Sequence, residues 1–185
     1  MTIKSTVRPL TAAELQRASE YLKQTRDELI DTVADLSEAQ WMFKPSSDRW
    51  SVGENVEHLG IVEGMFLNNV APAFANAPVL ETHAPLPDAD VIAMGKNRGT
   101  KLAAPERLFP SGTMRPQLAA ARLLVVRERT REFLEAGPYL RERSLPHPVV
   151  GMIDGYQWVL LVAAHTERHR QQILELKSDP QFPLR

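Results

Sequence analysis

Four long segments of the chain repeat apolar residues at three- and four-residue intervals, the spacing of a helix with one buried face. In the first of these rods the residues that share a face are Leu15, Ala18, Leu22, Leu29, Val33 and Leu36. No segment alternates apolar and polar residues convincingly with a period of two. Amphipathic rods bury their apolar stripes by packing against one another. The sequence therefore predicts an all-α fold, a four-helix bundle.

Capping-box patterns mark the starts of three rods, since Glu or Gln follows three residues after Ser, Thr or Asp. The pairs are Thr11 with Glu14, Ser51 with Glu54, and Asp154 with Gln157. We expect the rods to cover about 11–36, 51–72, 115–135 and 154–176. A short turn beginning at Ser37 and ending at Pro45 is expected between the first two.

The connection between the second and third rods, residues 73–113, is rich in proline, and only Asp88–Lys96 has the composition of a short helix. A connection of this length inside a compact domain usually carries function or covers a site. The 185 residues fit one domain. We therefore expect a single domain over 1–185, with its core at about 10–176 and a long proline-rich crossover between helices 2 and 3.

Composition excludes several functional classes. The 22 basic and 23 acidic residues leave a net charge of −1, which gives no electrostatic footprint for nucleic acid or an anionic membrane. The absence of cysteine excludes disulfides, a thiolate nucleophile and a cysteine-ligated metal. The chain has no run of 18 apolar residues and no apolar stretch typical of a secretory signal at its start. A cytoplasmic protein with a small-molecule substrate is the expectation.

Three of the five histidines fall on apolar faces. His165 and His169 are four residues apart on the fourth rod, so they lie about 40° apart around the helix and one turn apart along it. His58 lies on the apolar arc of the second rod. Three inward imidazoles on two rods predict a divalent-metal site with His58, His165 and His169 as ligands. Three protein ligands leave open positions, as in catalytic sites.

A competing interpretation is that each inward histidine is a hydrogen-bonded core residue without a metal. The segment H-T-E-R-H also resembles the H-E-x-x-H of zinc peptidases, but its glutamate, Glu167, points to the opposite face of the helix. Glu167 therefore cannot be the general base of that mechanism. Trp41, Trp50 and Trp158 are expected to fill the ends of the core.

Two residues are candidates for supporting the metal ligands. Glu54 precedes His58 by one turn and is expected to orient its ring, and Gln172 lies on the inner arc beyond His169. The remaining histidines, His83 and His147, are expected to be exposed in loops.

Three stretches carry a resemblance to a known family. They are L-S-E-A-Q-W-M-F-K-P at 36–45, R-W-S-V-G-E-N-V-E-H-L at 49–59, and H-P-V-V-G-M-I-D-G-Y-Q-W-V-L-L-V-A-A-H-T-E-R-H-R-Q-Q-I at 147–173. The chain resembles the DinB-like family of metal-dependent proteins, which includes thiol transferases of the YfiT type, over about residues 10–176. The resemblance implies a four-helix bundle, often a homodimer. It also implies that His58, His165 and His169 bind zinc or nickel, with iron and manganese as alternatives.

The resemblance leaves the activity open, because a shared fold does not transfer a substrate. The leading expectation is an enzyme in which the metal activates a nucleophile. That enzyme is either a thiol S-transferase that uses a low-molecular-weight thiol or a hydrolase. The alternatives are a non-catalytic metal-binding stress or sensor bundle and a purely structural bundle.

Overall fold

The structure is a computed structural model that describes residues 8–79, 86–99 and 104–184. Its helices are α1 (Ala12–Val33), α2 (Glu38–Met42), α3 (Val52–Met65), α4 (Asp88–Lys96), α5 (Pro116–Ala136) and α6 (Gly155–Lys177). Its strands are β1 (Ser144–His147) and β2 (Gly151–Asp154). Short turns of π or 3-10 helix occupy Phe66–Val70, Ala71–Asn76, Glu106–Leu108 and Pro138–Arg141. The prediction of a mostly helical chain is confirmed.

The helix starts follow the capping residues. Capping boxes form at Thr11, Ser51 and Asp154, as the sequence predicts. Each of these side chains accepts the backbone N–H of the residue three positions later, and the side chain of that later residue accepts the backbone N–H of the cap. A fourth box at Ser37 turns the predicted short turn into helix α2. The short helix expected at Asp88–Lys96 is present as α4.

Among the long helices, α1 lies across the bundle from α3, and α5 lies across it from α6. Helix α1 packs against α5 and α6, and α3 packs against the same two helices. The order around the bundle is therefore α1, α6, α3, α5. The second and fourth rods, α3 and α6, are neighbours, which brings the two histidine-bearing helices side by side.

A β-hairpin corrects the all-α prediction. Strands β1 and β2 pair antiparallel, with Ser144 opposite Asp154 and His147 opposite Gly151. Each strand has only four residues, which is too short for a period of two to emerge from the sequence. The hairpin feeds directly into α6, since Asp154 ends β2 and also caps the helix.

The proline-rich crossover stays a prediction, because 80–85 and 100–103 lie outside the described residues. Its helix α4 packs on α6 at Gly95, where a Cβ would lie 2.7 Å from the Cβ of Ala164 and 2.9 Å from Cδ1 of Leu161. Glycine therefore permits the close approach of these two helices. Among the described residues, no helix combines the length and the apolar character needed to cross a membrane.

A buried ion pair occupies the middle of the bundle. Nε of Arg127 on α5 lies 3.0 Å from Oε1 of Glu63 on α3, and each residue is 2% exposed. The Arg127 guanidinium also donates to Thr166 Oγ1 on α6 (2.7 Å) and to Thr25 Oγ1 on α1 (3.1 Å). Its bonds thus reach the other three long helices, and satisfying a buried charge in this way fixes their relative positions.

Candidate metal centre

The three histidines predicted as ligands meet at one point. His58 comes from α3, and His165 and His169 come from consecutive turns of α6. One ring nitrogen of each lies within 4.8 Å of those of the other two, and the Nε2 atoms of His165 and His169 are 3.1 Å apart. His58 and His169 are buried, and His165 is half-buried. The sequence prediction that these side chains share one site is consistent with this geometry.

The tautomer of His58 is fixed by a backbone carbonyl. Its Nδ1 lies 2.8 Å from the oxygen of Leu108, in the short turn Glu106–Leu108. A carbonyl oxygen only accepts hydrogen bonds, so Nδ1 carries the proton and donates it. The lone pair of His58 is therefore on Nε2 and available to a metal.

Asn55 fixes the tautomer of His169 through a short chain of hydrogen bonds. The amide nitrogen of Asn55 donates to the carbonyl of Ser51 (2.8 Å), which turns the amide oxygen towards His169. This oxygen lies 2.8 Å from Nδ1 of His169 and accepts a hydrogen bond from it. His169 consequently presents an unprotonated Nε2 as well. An outer hydrogen bond of this kind is the usual companion of a metal-bound imidazole.

The spacing of the nitrogens suits a single ion. Two ligands at about 2.1 Å from a metal are about 3.0 Å apart at a right angle and about 3.4 Å apart at the tetrahedral angle. The 3.1 Å between His165 and His169 falls within this interval. The upper limit of 4.8 Å for the set is wider, so the rings must draw together slightly to bind one ion. The donor set fits a divalent metal that accepts imidazole.

Burial keeps the three rings neutral. It lowers the pKa of His165 to about 3 and holds the pKa of His169 well below its ordinary value, with smaller contributions from neighbouring positive charges. Burial also lowers the pKa of His58, against the opposing effect of its bond to Leu108. A metal competes with protons for imidazole, so these shifts favour metal binding at neutral pH.

An aromatic wall covers one side of the cluster. The Trp50 ring lies 4.6 Å from the ring of His58 and stacks on His169 at 5.9 Å with an interplanar angle of 18°. Phe109, which is 50% exposed, contacts the edge of Trp50 at 6.3 Å. Trp50 therefore lies over the histidines. The sequence had led us to expect that it fills an end of the core.

Comparison with known proteins identifies the family of the chain. The sequence profile of the DinB superfamily matches residues 21–173. The chain belongs to the DinB superfamily. It is 28% identical over 156 residues to the uncharacterized protein YuaE of Bacillus subtilis (strain 168), covering 83% of this chain and 93% of YuaE.

A solved structure shares the fold of this DinB-superfamily chain. YfiT from Bacillus subtilis superposes with a TM-score of 0.61 at 18% identity, covering 91% of this chain and 89% of YfiT. YfiT is described as a probable metal-dependent hydrolase with an unusual four-helix bundle topology. At this identity the likeness supports the four-helix bundle.

The predicted role of Glu54 is wrong. Its carboxylate accepts the backbone N–H of Ser51 at 2.6 Å and pairs with Nζ of Lys44 at 2.9 Å. The ring of His58 is oriented by Leu108 instead. Gln172 is half-buried, and the structure gives it no hydrogen bond to any described residue.

Asn55 is the supporting residue that the sequence reasoning missed in this DinB-superfamily chain. A signal was present, because Asn55 is a polar side chain on an apolar helical arc, one turn before His58. The contribution of Leu108 had no such signal, since any residue supplies a carbonyl.

The two remaining histidines have different outcomes. His83 lies outside the described residues. The expectation that His147 is an exposed loop residue is wrong, because it lies in β1, half-buried, with its ring 4.8 Å from that of Trp158. Its Nδ1 accepts the N–H groups of Val149 and Val150, both at 3.2 Å. His147 thus stabilises the hairpin turn.

Proposed function

We propose that this protein is a metal-dependent enzyme acting on a small molecule, with one divalent ion held by His58, His165 and His169. The observation that carries the proposal is the pair of fixed tautomers. Leu108 and Asn55 each accept a hydrogen bond from Nδ1 of a buried histidine, which leaves Nε2 unprotonated on both rings. A purely structural core gains nothing from directing these lone pairs to one point, whereas a metal site requires it.

Three imidazoles leave part of the coordination sphere open, which favours catalysis over a structural ion. A divalent metal bound there would supply a Lewis acid that lowers the pKa of water or of a thiol. The chain itself holds the imidazoles neutral and fixes their direction, and Trp50 shields one side of the cluster from water. Zinc and nickel are the favoured ions, with iron and manganese as alternatives.

The nucleophile activated by the metal would be water or an added thiol. The chain contains no cysteine, so a thiol must come from a low-molecular-weight cofactor. The two carboxylates flanking His58 in α3 are engaged, Glu54 in its capping box and Glu57 with the backbone N–H groups of Ser111 and Gly112. The proposal therefore has two versions, thiol S-transfer and hydrolysis, and YfiT, described as a probable metal-dependent hydrolase, supports the second.

Metal analysis tests the proposal first. Protein purified without chelator is expected to contain about one equivalent of a divalent ion by mass spectrometry, as one three-ligand site implies. The variants His58→Ala, His165→Ala and His169→Ala should lose it, whereas His147→Ala, whose ring contacts Trp158, should retain it. Wild-type protein that neither contains nor takes up such an ion would refute the proposal.

Turnover assays then distinguish the two versions. The metal-loaded protein is offered a chlorinated aromatic electrophile with and without an added thiol, and a panel of activated esters and amides. Loss of turnover in His165→Ala ties the activity to the site. A metal-loaded protein that is inactive in every assay would instead favour the alternative, a non-catalytic metal-binding sensor or stress bundle.

A further inference from the structure

One arginine beside the histidine cluster lacks a partner within the described part of the chain. Arg168 precedes His169 on α6 and is half-buried, and its guanidinium makes no hydrogen bond or ion pair with any residue that the structure describes. Its neighbour Arg170, by contrast, pairs with Glu28 and Glu167, each within 3.5 Å. Burying part of a cation without a counter-charge is costly, so an unpaired arginine at such a position needs an explanation.

Further arginines surround the same face of α6. Arg168 follows Ala164 by one helical turn, on the side where α4 packs, and Arg98 leaves the end of α4 to form a bidentate pair with Glu175. Arg49 also approaches Glu175, with 3.5 Å between Nη2 and Oε2. Arg98 and Arg49 therefore share the carboxylate of Glu175, and Arg168 adds a positive charge that has no paired carboxylate among the described residues.

The cationic face formed by Arg168, Arg98 and Arg49 adjoins the cluster. Arg168 directly precedes His169 on α6 and follows His165 by three residues, which places it about 60° around the helix from His165. Trp50, next to Arg49 in the chain, stacks on His169, so the aromatic wall lies beside the same cluster. Three neutral imidazoles would not reduce the charge of a bound divalent ion, so Arg168 and Arg98 would add to a positive field at the site. Such a field favours anionic ligands and disfavours cations.

We propose that Arg168, assisted by Arg98, binds a carboxylate of the small molecule that reacts at the three-histidine site. A guanidinium presents paired N–H donors that match the planar geometry of a carboxylate. The inference rests on the proposed function, and it adds that the ligand class is a carboxylate-bearing small molecule. This carboxylate belongs either to the thiol or to the electrophilic substrate that the nucleophile attacks.

Binding of simple thiols to cobalt-loaded protein tests the assignment without requiring turnover. The probes are 3-mercaptopropionate and its neutral analogue 3-mercaptopropionamide, titrated while the visible spectrum of cobalt is recorded. We expect the acid to bind about 10- to 100-fold more tightly, the range typical of one hydrogen-bonded charge pair. Arg168→Gln should remove this advantage, and the matched control Arg170→Gln should keep it.

A second titration identifies the molecule that carries the carboxylate. If butyrate and 2-mercaptoethanol bind together, and Arg168→Gln weakens the binding of butyrate alone, the carboxylate belongs to the electrophilic substrate. If Arg168→Gln weakens only the mercapto acid, the carboxylate belongs to the thiol. Failure of the protein to bind cobalt would count against the proposed function. Cobalt binding with no probe weakened by Arg168→Gln would overturn this inference alone.

Discussion

Metal binding at pH 6.0 is expected to release fewer than one proton from the ligands, although three ordinary histidines would release more than two. A histidine with a pKa of about 6.5 is about 0.76 protonated at this pH, so three would release about 2.3 protons. The pKa of His165 is about 3, and that of His169 is well below its ordinary value. Both are therefore neutral before the metal arrives. Only His58, whose pKa is also lowered, has a proton to lose, and it contributes less than about 0.76.

Isothermal titration calorimetry measures this number directly. Zinc is titrated into metal-free protein at pH 6.0 in buffers of different ionisation enthalpy, and the slope of the observed enthalpy gives the protons released. Water bound to zinc with a pKa of about 7 would add only about 0.1 proton at this pH. A flexible three-histidine peptide is the control and should release about 2.3 protons. Release of two or more protons by the protein would refute the argument that burial keeps His165 and His169 neutral.

Three further outcomes follow from named contacts. Asn55→Ala is expected to weaken metal affinity about 10- to 100-fold in chelator competition, because it removes the acceptor of the His169 proton, while Gln172→Ala should leave the affinity unchanged. Arg127→Met should lower the free energy of unfolding by about 3–5 kcal/mol in urea, because Glu63 is left buried and unpaired, and Glu63→Gln combined with it should recover part of the loss. Trp50 stacks on His169, so cobalt should quench its fluorescence, and Trp50→Phe should abolish most of the quenching.

Helix starts were predictable because the signals are local. A capping box involves only a residue and the one three positions later, and the boxes at Thr11, Ser51 and Asp154 form as predicted. The same reasoning, followed strictly, would have corrected the prediction for Glu54. The carboxylate of a glutamate at the third position of a capping box accepts the backbone N–H of the cap residue, so it is not free to orient the His58 ring one turn away. The hairpin was missed because its four-residue strands carry too little pattern.

The candidate site was predictable only as far as helical periodicity extends. Spacing places His165 and His169 on one face of α6 and His58 on the apolar face of α3, and the structure brings these faces together. The carbonyl of Leu108 reaches His58 from a residue 50 positions away, and Asn55 reaches His169 across 114 positions. Contacts of that range depend on how the helices pack, which no local pattern encodes.

The rotation of α6 about its axis decides whether the cluster exists, and the buried ion pair fixes that rotation. Thr166 lies between His165 and His169 and accepts a hydrogen bond from Arg127 at 2.7 Å. Arg127 is held in turn by Glu63, on the same helix as His58. Turning α6 by one residue, about 100°, would break the bond to Thr166 and carry both histidines away from α3. The charged network in the core and the histidine cluster beside it therefore depend on a single helix register.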